Sequence, residues 1–433
     1  MLLRNCAEFS PRVGFKTHGL RAHLHQTFSA RAMTAVRPPP AAPPWASALF
    51  SVGITGTNGK TTTTAMTAAL LAELARPVAR VTTVGAFLDE ERQEVPAHYA
   101  GFLETLQRCL NRGGRYAALE FTSEALALGF AKAWPCRVAA FTNLSLDHSD
   151  AHGSPEHYLA SKAQLFMALA PGATAVLNGR DAAAQLLSEV IPAGVNVLTY
   201  GVPSRGEAWT PLDLAAHSIH LGFDGTRFEL EPCLRFPELP RTLSIRAVGE
   251  IFVENALAAL GAALASGVPA LAAVSALARV SPPTGRFQIV RERPYAVVDY
   301  AHTPDALSRT LDTARALCSG RVCVVFGAGG ERDQSKRPLM GAAARRAGRV
   351  VLTSDNPRSE DPLAIMEQIA EGLSDHPDVV REVDRARAIE LALRMAAPED
   401  VVLIAGKGHE LEQETAGVRT AFSDVAIVRT VQI

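Results

Sequence analysis

Between Phe50 and Thr62 the chain reads Phe50-Ser51-Val52-Gly53-Ile54-Thr55-Gly56-Thr57-Asn58-Gly59-Lys60-Thr61-Thr62: an apolar run, a glycine-bearing turn, then a lysine and two threonines. Glycines in such a turn let backbone N–H groups face inward around phosphate oxygens. The spacing gives Lys60 the β- and γ-phosphate charge and gives the Thr61 hydroxyl a magnesium ion. Strict P-loop spacing asks for glycine five positions before Gly59; Ile54 stands there, so the pattern is a variant. A plain glycine-rich helix cap has no need of the lysine. Farther on, Glu120 ends a second apolar run. An acid there beside a phosphate loop suits Mg²⁺, whereas a lone acid is a solvated strand end. Asp355-Asn356-Pro357-Arg358 offers hydrogen-bonding side chains and a planar guanidinium fork for an amino-acid head group and carboxylate. By themselves these four residues are an ordinary turn.

Bringing these groups together takes strands that deliver loops to a common edge. From Phe50 onward, short apolar runs alternate with helical stretches, which predicts an α/β protein with a mostly parallel sheet. Strands are expected at 50–55, 116–121 and 138–143, with a helix over 61–75. A second series is expected at 295–299, 321–326, 349–353 and 401–405. Two prolines and a glycine in Ser281-Pro282-Pro283-Thr284-Gly285 mark a hinge. The expected organisation is a tail and Pro-rich linker over 1–48, a P-loop ATP-binding domain over 49–287 and a Rossmann-like α/β domain over 288–433. No internal repeat is evident.

At 433 residues the chain is long enough for about two or three cores. Its formal charge of -1 leaves no electrostatic footprint for nucleic acid, so small-molecule partners are expected. The six cysteines include no Cys-x-x-Cys pair, which argues against a structural zinc site or disulfide framework and for a reducing cytoplasm. The apolar stretch 256–278 is interrupted by Gly261, Ser266, Gly267 and Pro269, so it reads as buried helices and not a membrane span. A monomer is expected. The first fifty residues carry Arg4, Arg12, Lys16, Arg21, Arg31 and Arg37 against Glu8, then a proline run; a disordered extension is favoured over a transit peptide.

Thr55-Gly56-Thr57-Asn58-Gly59-Lys60-Thr61-Thr62 resembles the phosphate loop of the Mur ligases of peptidoglycan synthesis, and the resemblance extends over nearly everything from Phe50 onward. It implies an ATP- and Mg²⁺-dependent ligase that joins a carboxylate to an amine through an acyl phosphate. Leu119-Glu120-Phe121-Thr122-Ser123 is similar to the family's second motif, which assigns Glu120 to Mg²⁺. Phe141-Thr142-Asn143-Leu144-Ser145-Leu146-Asp147-His148 is similar to the third, in which the histidine, here His148, ligates a second ion; read bare, an Asp-His pair is a loop hydrogen bond. The stretch 152–166 resembles the region of a carbamylated lysine, which falls on Lys162; without the resemblance this is an exposed helical lysine. A carbamate is an anion able to hold Mg²⁺, as an ammonium is not. The resemblance further gives Asn255 to adenine, Arg286 at the hinge to ATP, and Asp299 to the nucleotide across the domain gap.

In the second domain, the glycine-rich loop beginning at Phe326 carries Arg332, which the resemblance assigns to the incoming amino acid. Asp355, Asn356 and Arg358, with Gly406 and Glu410, resemble the set with which some members bind meso-diaminopimelate. Three departures concern the carboxylate substrate. Only about fifty residues precede the loop, so the family's N-terminal UDP-binding domain is expected to be missing. Pro96-Ala97-His98-Tyr99 stands where a Thr-Thr-Pro stretch is usual, and Glu124 stands in place of a histidine. A ligase acting on another carboxylate, a folylpolyglutamate-synthase-like activity and a non-catalytic nucleotide-binding protein are the alternatives.

Overall fold

The run before the phosphate loop is a strand, β1 (Phe50–Thr55), buried from Ser51 to Thr55. A strand buried on both faces belongs inside a parallel sheet covered by helices. That is its place in the computed structural model, which describes residues 38–145 and 155–432. Arg37–Ile433 forms one compact unit.

The larger sheet adds β2 (Val78–Thr82), β3 (Gly85–Leu88), β4 (Glu91–Gln93), β5 (Tyr116–Glu120), β6 (Val138–Phe141), β7 (Thr174–Asn178), β8 (Asn196–Gly201), β9 (Leu214–Gly222), β10 (Gly225–Leu230) and β11 (Thr242–Ile245). Its order is β11-β10-β9-β8-β7-β6-β1-β5-β2-β3-β4. From β9 to β2 neighbouring strands are parallel, and β3–β4 and β10–β11 extend the edges as antiparallel wings. Because β5 and β6 flank β1 on opposite sides, the chain departs in both directions from β1, and a crevice opens at the carboxyl ends of these three strands.

The second sheet has the order β12-β13-β17-β14-β15-β16, built from β12 (Gln288–Arg291), β13 (Tyr295–Asp299), β14 (Val322–Phe326), β15 (Arg349–Leu352), β16 (Val379–Arg381) and β17 (Val401–Ala405). All but the β12–β13 pair are parallel. A two-stranded ribbon, β18 (Glu412–Thr415) and β19 (Val418–Ala421), stands beside it.

The helix after the phosphate loop, Lys60–Leu71, contains four consecutive threonines, poor helix formers by propensity. Packing against the Glu250–Ala265 helix and β5 overrides this, and Thr61 through Ala68 are all buried. The helix ends at Leu71, short of the expected Ala75, where the bonding tightens to three-residue turns, Glu73 N–H to Leu70 O and Leu74 N–H to Leu71 O. The Ala-rich stretch forms two helices, Glu250–Ala265 and Ala270–Arg279, the first buried from Phe252 to Ala263. No helix among the described residues is long and apolar enough to cross a membrane. Residues 281–285 are irregular and lead into β12, and Phe223 at the β9–β10 turn stacks on Tyr295 of β13 with ring centroids 3.6 Å apart.

Candidate functional site

Gly59 sits in the left-handed region at φ 84°, and a Cβ there would run into Asn255 Oδ1 of the Glu250–Ala265 helix. Glycine is therefore required by both conformation and space. The loop is held by the strand beside it. Thr57 N–H donates to Asn143 O at 2.8 Å and Asn58 N–H to Asn143 Oδ1 at 3.0 Å. Thr142 Oγ1 donates to Asn58 O at 2.7 Å. These bonds explain why β6 ends at Phe141: Thr142 and Asn143 leave the ladder to serve the loop. Lys60 Nζ donates to Thr57 O at 2.7 Å. Gly56 and Thr62 complete the loop at its two ends.

Thr61, in the first turn of its helix, donates its hydroxyl to Glu120 Oε2 at 2.9 Å; Thr83 N–H reaches the same oxygen at 3.3 Å. The expected Mg²⁺ pair is thus adjacent. Two hard oxygen donors, one a carboxylate, fit Mg²⁺. Lys162 lies 1 % exposed on the Pro155–Met167 helix, donates to Gly56 O at 2.7 Å and sits 4.1 Å from the Tyr158 ring centre. The surface-lysine alternative does not hold for this position. His148 lies outside the described residues.

Asn255 meets the phosphate loop at Gly59. Asp299, at the end of β13, is nearly buried; Oδ2 accepts from Phe287 N–H at 2.6 Å, and Oδ1 accepts from Ala301 N–H at 2.8 Å and Thr310 Oγ1 at 3.3 Å. Burial holds its carboxyl above the ordinary range against the pull of Arg286. Arg286 lies over the Tyr300 ring at 4.4 Å. Asp299 thus ties the hinge arginine's loop to the second sheet.

At the carboxyl ends of β13, β14, β15 and β17 a cavity of about 170 Å³ opens, and Arg332, Asp355, Asn356, Arg358, Gly406 and Glu410 all line it. Arg332, Lys336 and Arg358 line it together with Asp333, Asp355 and Glu410, so charges of both signs meet there. Sequence reasoning missed Lys407, fully buried beneath, whose Nζ reaches Glu410 Oε2 at 2.9 Å and Asn356 Oδ1 at 3.0 Å. A lysine between two glycines after an apolar strand was the signal. Asn356 Nδ2 also donates to Glu410 Oε2 at 2.9 Å, and Arg358 Nη1 donates to Gly330 O. Arg358 has φ 53° and exchanges backbone bonds with the β18–β19 ribbon, donating to Glu414 O at 3.1 Å and accepting from Ala416 N–H at 2.6 Å. Arg385 anchors the floor, bonding Asp424 through two nitrogens at 2.8 Å each and Ala405 O at 3.0 Å.

A second cavity, about 510 Å³, opens beside Glu120 and Thr83 and has Tyr99, Phe102, Phe121 and Phe130 in its walls. Phe130 meets Phe102 edge-on at 5.1 Å and Tyr99 at 5.4 Å. His98 and Pro96 of the departing stretch lie in this wall.

Known proteins resemble the whole arrangement. Residues 54–263 match the Mur ligase middle domain, and residues 285–408 match the Mur ligase, glutamate ligase domain. The UDP-N-acetylmuramoyl-L-alanyl-D-glutamate–2,6-diaminopimelate ligase of Thermosynechococcus vestitus is 40% identical over 387 residues, 87% of this chain and 75% of that protein. A solved structure of a UDP-N-acetylmuramoyl-L-alanyl-D-glutamate–2,6-diaminopimelate ligase is 35% identical, with a TM-score of 0.61 over 88% of this chain and 78% of that one. Folylpolyglutamate synthase of Mycobacterium tuberculosis, solved with ADP and AMPPCP, shares the fold at 20% identity and a TM-score of 0.65, over 83% of this chain and 89% of that one. With its phosphate loop and charge-paired cavity on two successive α/β sheets, the chain belongs to the Mur ligase family of ATP-dependent amide-bond ligases.

Proposed function

We propose that the protein adds meso-diaminopimelate, or a closely similar diamino acid, to a muramoyl-peptide-like carboxylate. A carboxylate oxygen of the acceptor attacks the γ-phosphorus of ATP, the bond to the β–γ bridging oxygen breaks and ADP leaves. The amine nitrogen then bonds the acyl carbon, loses a proton and expels phosphate with the bonding electrons. Lys60 neutralises the phosphates, and the N–H groups of the loop orient them. Thr61 and Glu120 are the residues that would hold Mg²⁺, which when bound would offset phosphate charge. The second sheet excludes water that otherwise hydrolyses the acyl phosphate. The reaction takes place in the cytoplasm, where ATP is available, in keeping with free thiols at Cys109, Cys136, Cys233, Cys318 and Cys323.

The observation that carries this reading is the cavity that Arg358 and Arg332 line together with Asp355 and Glu410, a match for a molecule with two carboxylates and two ammonium groups. The test is phosphate release with ATP and Mg²⁺, offering meso-diaminopimelate, lysine or no amine against UDP-muramoyl-dipeptide. Release that needs diaminopimelate and the dipeptide together supports the reading; release indifferent to the amine sinks it.

A second reading keeps the chemistry and changes the acceptor to a carboxylate outside peptidoglycan. The aromatic cavity favours it, since Tyr99, Phe102, Phe121 and Phe130 line it and Arg92 is the one arginine or lysine among its lining residues, which offers little to a multiply anionic acceptor. Turnover with an N-aroyl dipeptide and none with the UDP-dipeptide selects this reading.

A further inference from the structure

Glu254 precedes Asn255 on the Glu250–Ala265 helix and its side chain is 1% exposed. Its Oε1 accepts from Arg205 Nε at 2.9 Å and from Asn178 Nδ2 at 2.5 Å; its Oε2 accepts from Arg309 Nη1 at 2.7 Å. Arg205 and Asn178 belong to the larger sheet's half. Arg309 belongs to the Pro304–Leu317 helix that follows β13, so this bond crosses from one sheet's half to the other. Burial pushes the Glu254 carboxyl up, but the two arginines overcome it and leave it below the ordinary range, so the group is an anion. Taking away Glu254 removes the carboxylate that Arg205 and Arg309 share.

The contacts continue to the nucleotide side. Asn178 Nδ2 also donates to Thr142 O at 3.2 Å, and Thr142 Oγ1 holds Asn58 O at 2.7 Å. One residue along the helix from Glu254, Asn255 fills the space over Gly59. A helix shift or a lost bond at Glu254 therefore reaches the phosphate loop by two routes, through Asn178 and Thr142 and through Asn255. Nothing in the ligase reaction calls for a buried carboxylate at Glu254 or a cation at Arg309, since neither lines a cavity described above.

We infer that Glu254 and Arg309 are positioning residues for the ATP site: with the second half seated, Arg309 fixes Glu254, and Glu254 fixes the loop that binds ATP. The inference goes beyond the substrate assignment and rests on the loop's binding ATP. The coupling is reciprocal, so nucleotide at the loop favours the seated arrangement. An ion pair that only glues the two halves together would affect stability alone.

The experiment is a double-mutant cycle on the full chain with Arg309→Gln, Glu254→Gln and the double variant, reading the Kd of a non-hydrolysable ATP analogue with Mg²⁺ well below each variant's melting temperature. Arg309→Gln is expected to raise Kd about tenfold, Arg309→Lys to recover part of that, and the double variant to bind no worse than Glu254→Gln. Hydrolysis of ATP without ligation should rise severalfold in Arg309→Gln. A lowered melting temperature with Kd unchanged overturns the inference, as does strict additivity of the two changes. Where Glu254→Gln fails to fold, Arg309→Gln and Arg309→Lys decide alone: an unchanged Kd in the first overturns the inference, and a raised Kd restored by the second upholds it. Absence of analogue binding by the unaltered protein overturns the ATP reading and this inference together, which separates the two kinds of failure.

Discussion

The Lys162 side-chain nitrogen lies 2.7 Å from the backbone carbonyl of Gly56, which puts a buried lysine of the Pro155–Met167 helix at the start of the phosphate loop. The same nitrogen faces the Tyr158 ring. A carbamate formed there adds a negative charge beside Gly56 of the phosphate loop. Lys162→Ala is therefore expected to lower kcat at least 100-fold, with partial recovery on adding formate or acetate. Full activity without rescue, measured by ADP release, refutes the carbamate.

Lys60→Ala removes the cation beside the γ-phosphoryl group. The expected loss in kcat/KM is about 10³-fold or more, with the fold retained by circular dichroism. Ligation near the unaltered rate dismisses the phosphate-loop assignment.

Arg358→Ala takes away a fork held over the charge-paired cavity by Gly330 and the ribbon. KM for diaminopimelate should rise about 10- to 100-fold while KM for ATP stays put, and Arg358→Lys should restore little, because an ammonium cannot reproduce the planar pairing. Equal changes in both KM values count against a role in amine recognition.

His409 stacks beside Tyr300, and burial, aided by Arg286, lowers its pKa to about 4 from 6.5. Between these two values the unfolded chain binds more protons, so stability rises with pH through that window and is lost as pH falls through it. His409→Asn should flatten the difference in unfolding free energy between pH 7 and pH 5 by about 1 kcal/mol, discounted for the ring's partial exposure. An identical pH profile in denaturant titrations contradicts this.

Arg385 and Asp424 are both wholly buried and doubly bonded. Asp424→Asn leaves the guanidinium without its counter-charge and is expected to cost about 3–5 kcal/mol of stability by urea unfolding. A cost under 1 kcal/mol means that Ala405 O and Ser354 O suffice for Arg385.

The parts that were readable in the sequence are those whose signal is local. β1, β13 and β17 have the expected bounds because each is a short, mostly apolar and mostly buried run followed at once by loop residues. Gly59-Lys60-Thr61 and Asp355-Asn356-Pro357-Arg358 carry their chemistry in adjacent positions. Asn178, Glu254 and Arg309 do not, since they meet only after the sheets form. The antiparallel wing went unread although β10 alternates buried Thr226, Phe228 and Leu230 with more open Arg227 and Glu229; short strands next to charged turns give a weak signal. Lys407 carries no local signal of burial, because a lysine is expected at the surface, and its two acceptors, Asn356 and Glu410, with the Asp355 carboxylate at 4.0 Å explain its burial only in the folded chain.

The charge-paired cavity draws its lining entirely from residues after Tyr295, and the aromatic cavity entirely from residues before Ala131; they share no side chain. On the proposed assignment of the amine to the first cavity and the acceptor to the second, what the protein attaches and what it attaches it to are separately heritable traits. A lineage can exchange its acceptor by altering residues 81–130 while descendants keep the ancestral amine, and laboratory recombination at the 281–285 junction would deal the two preferences independently.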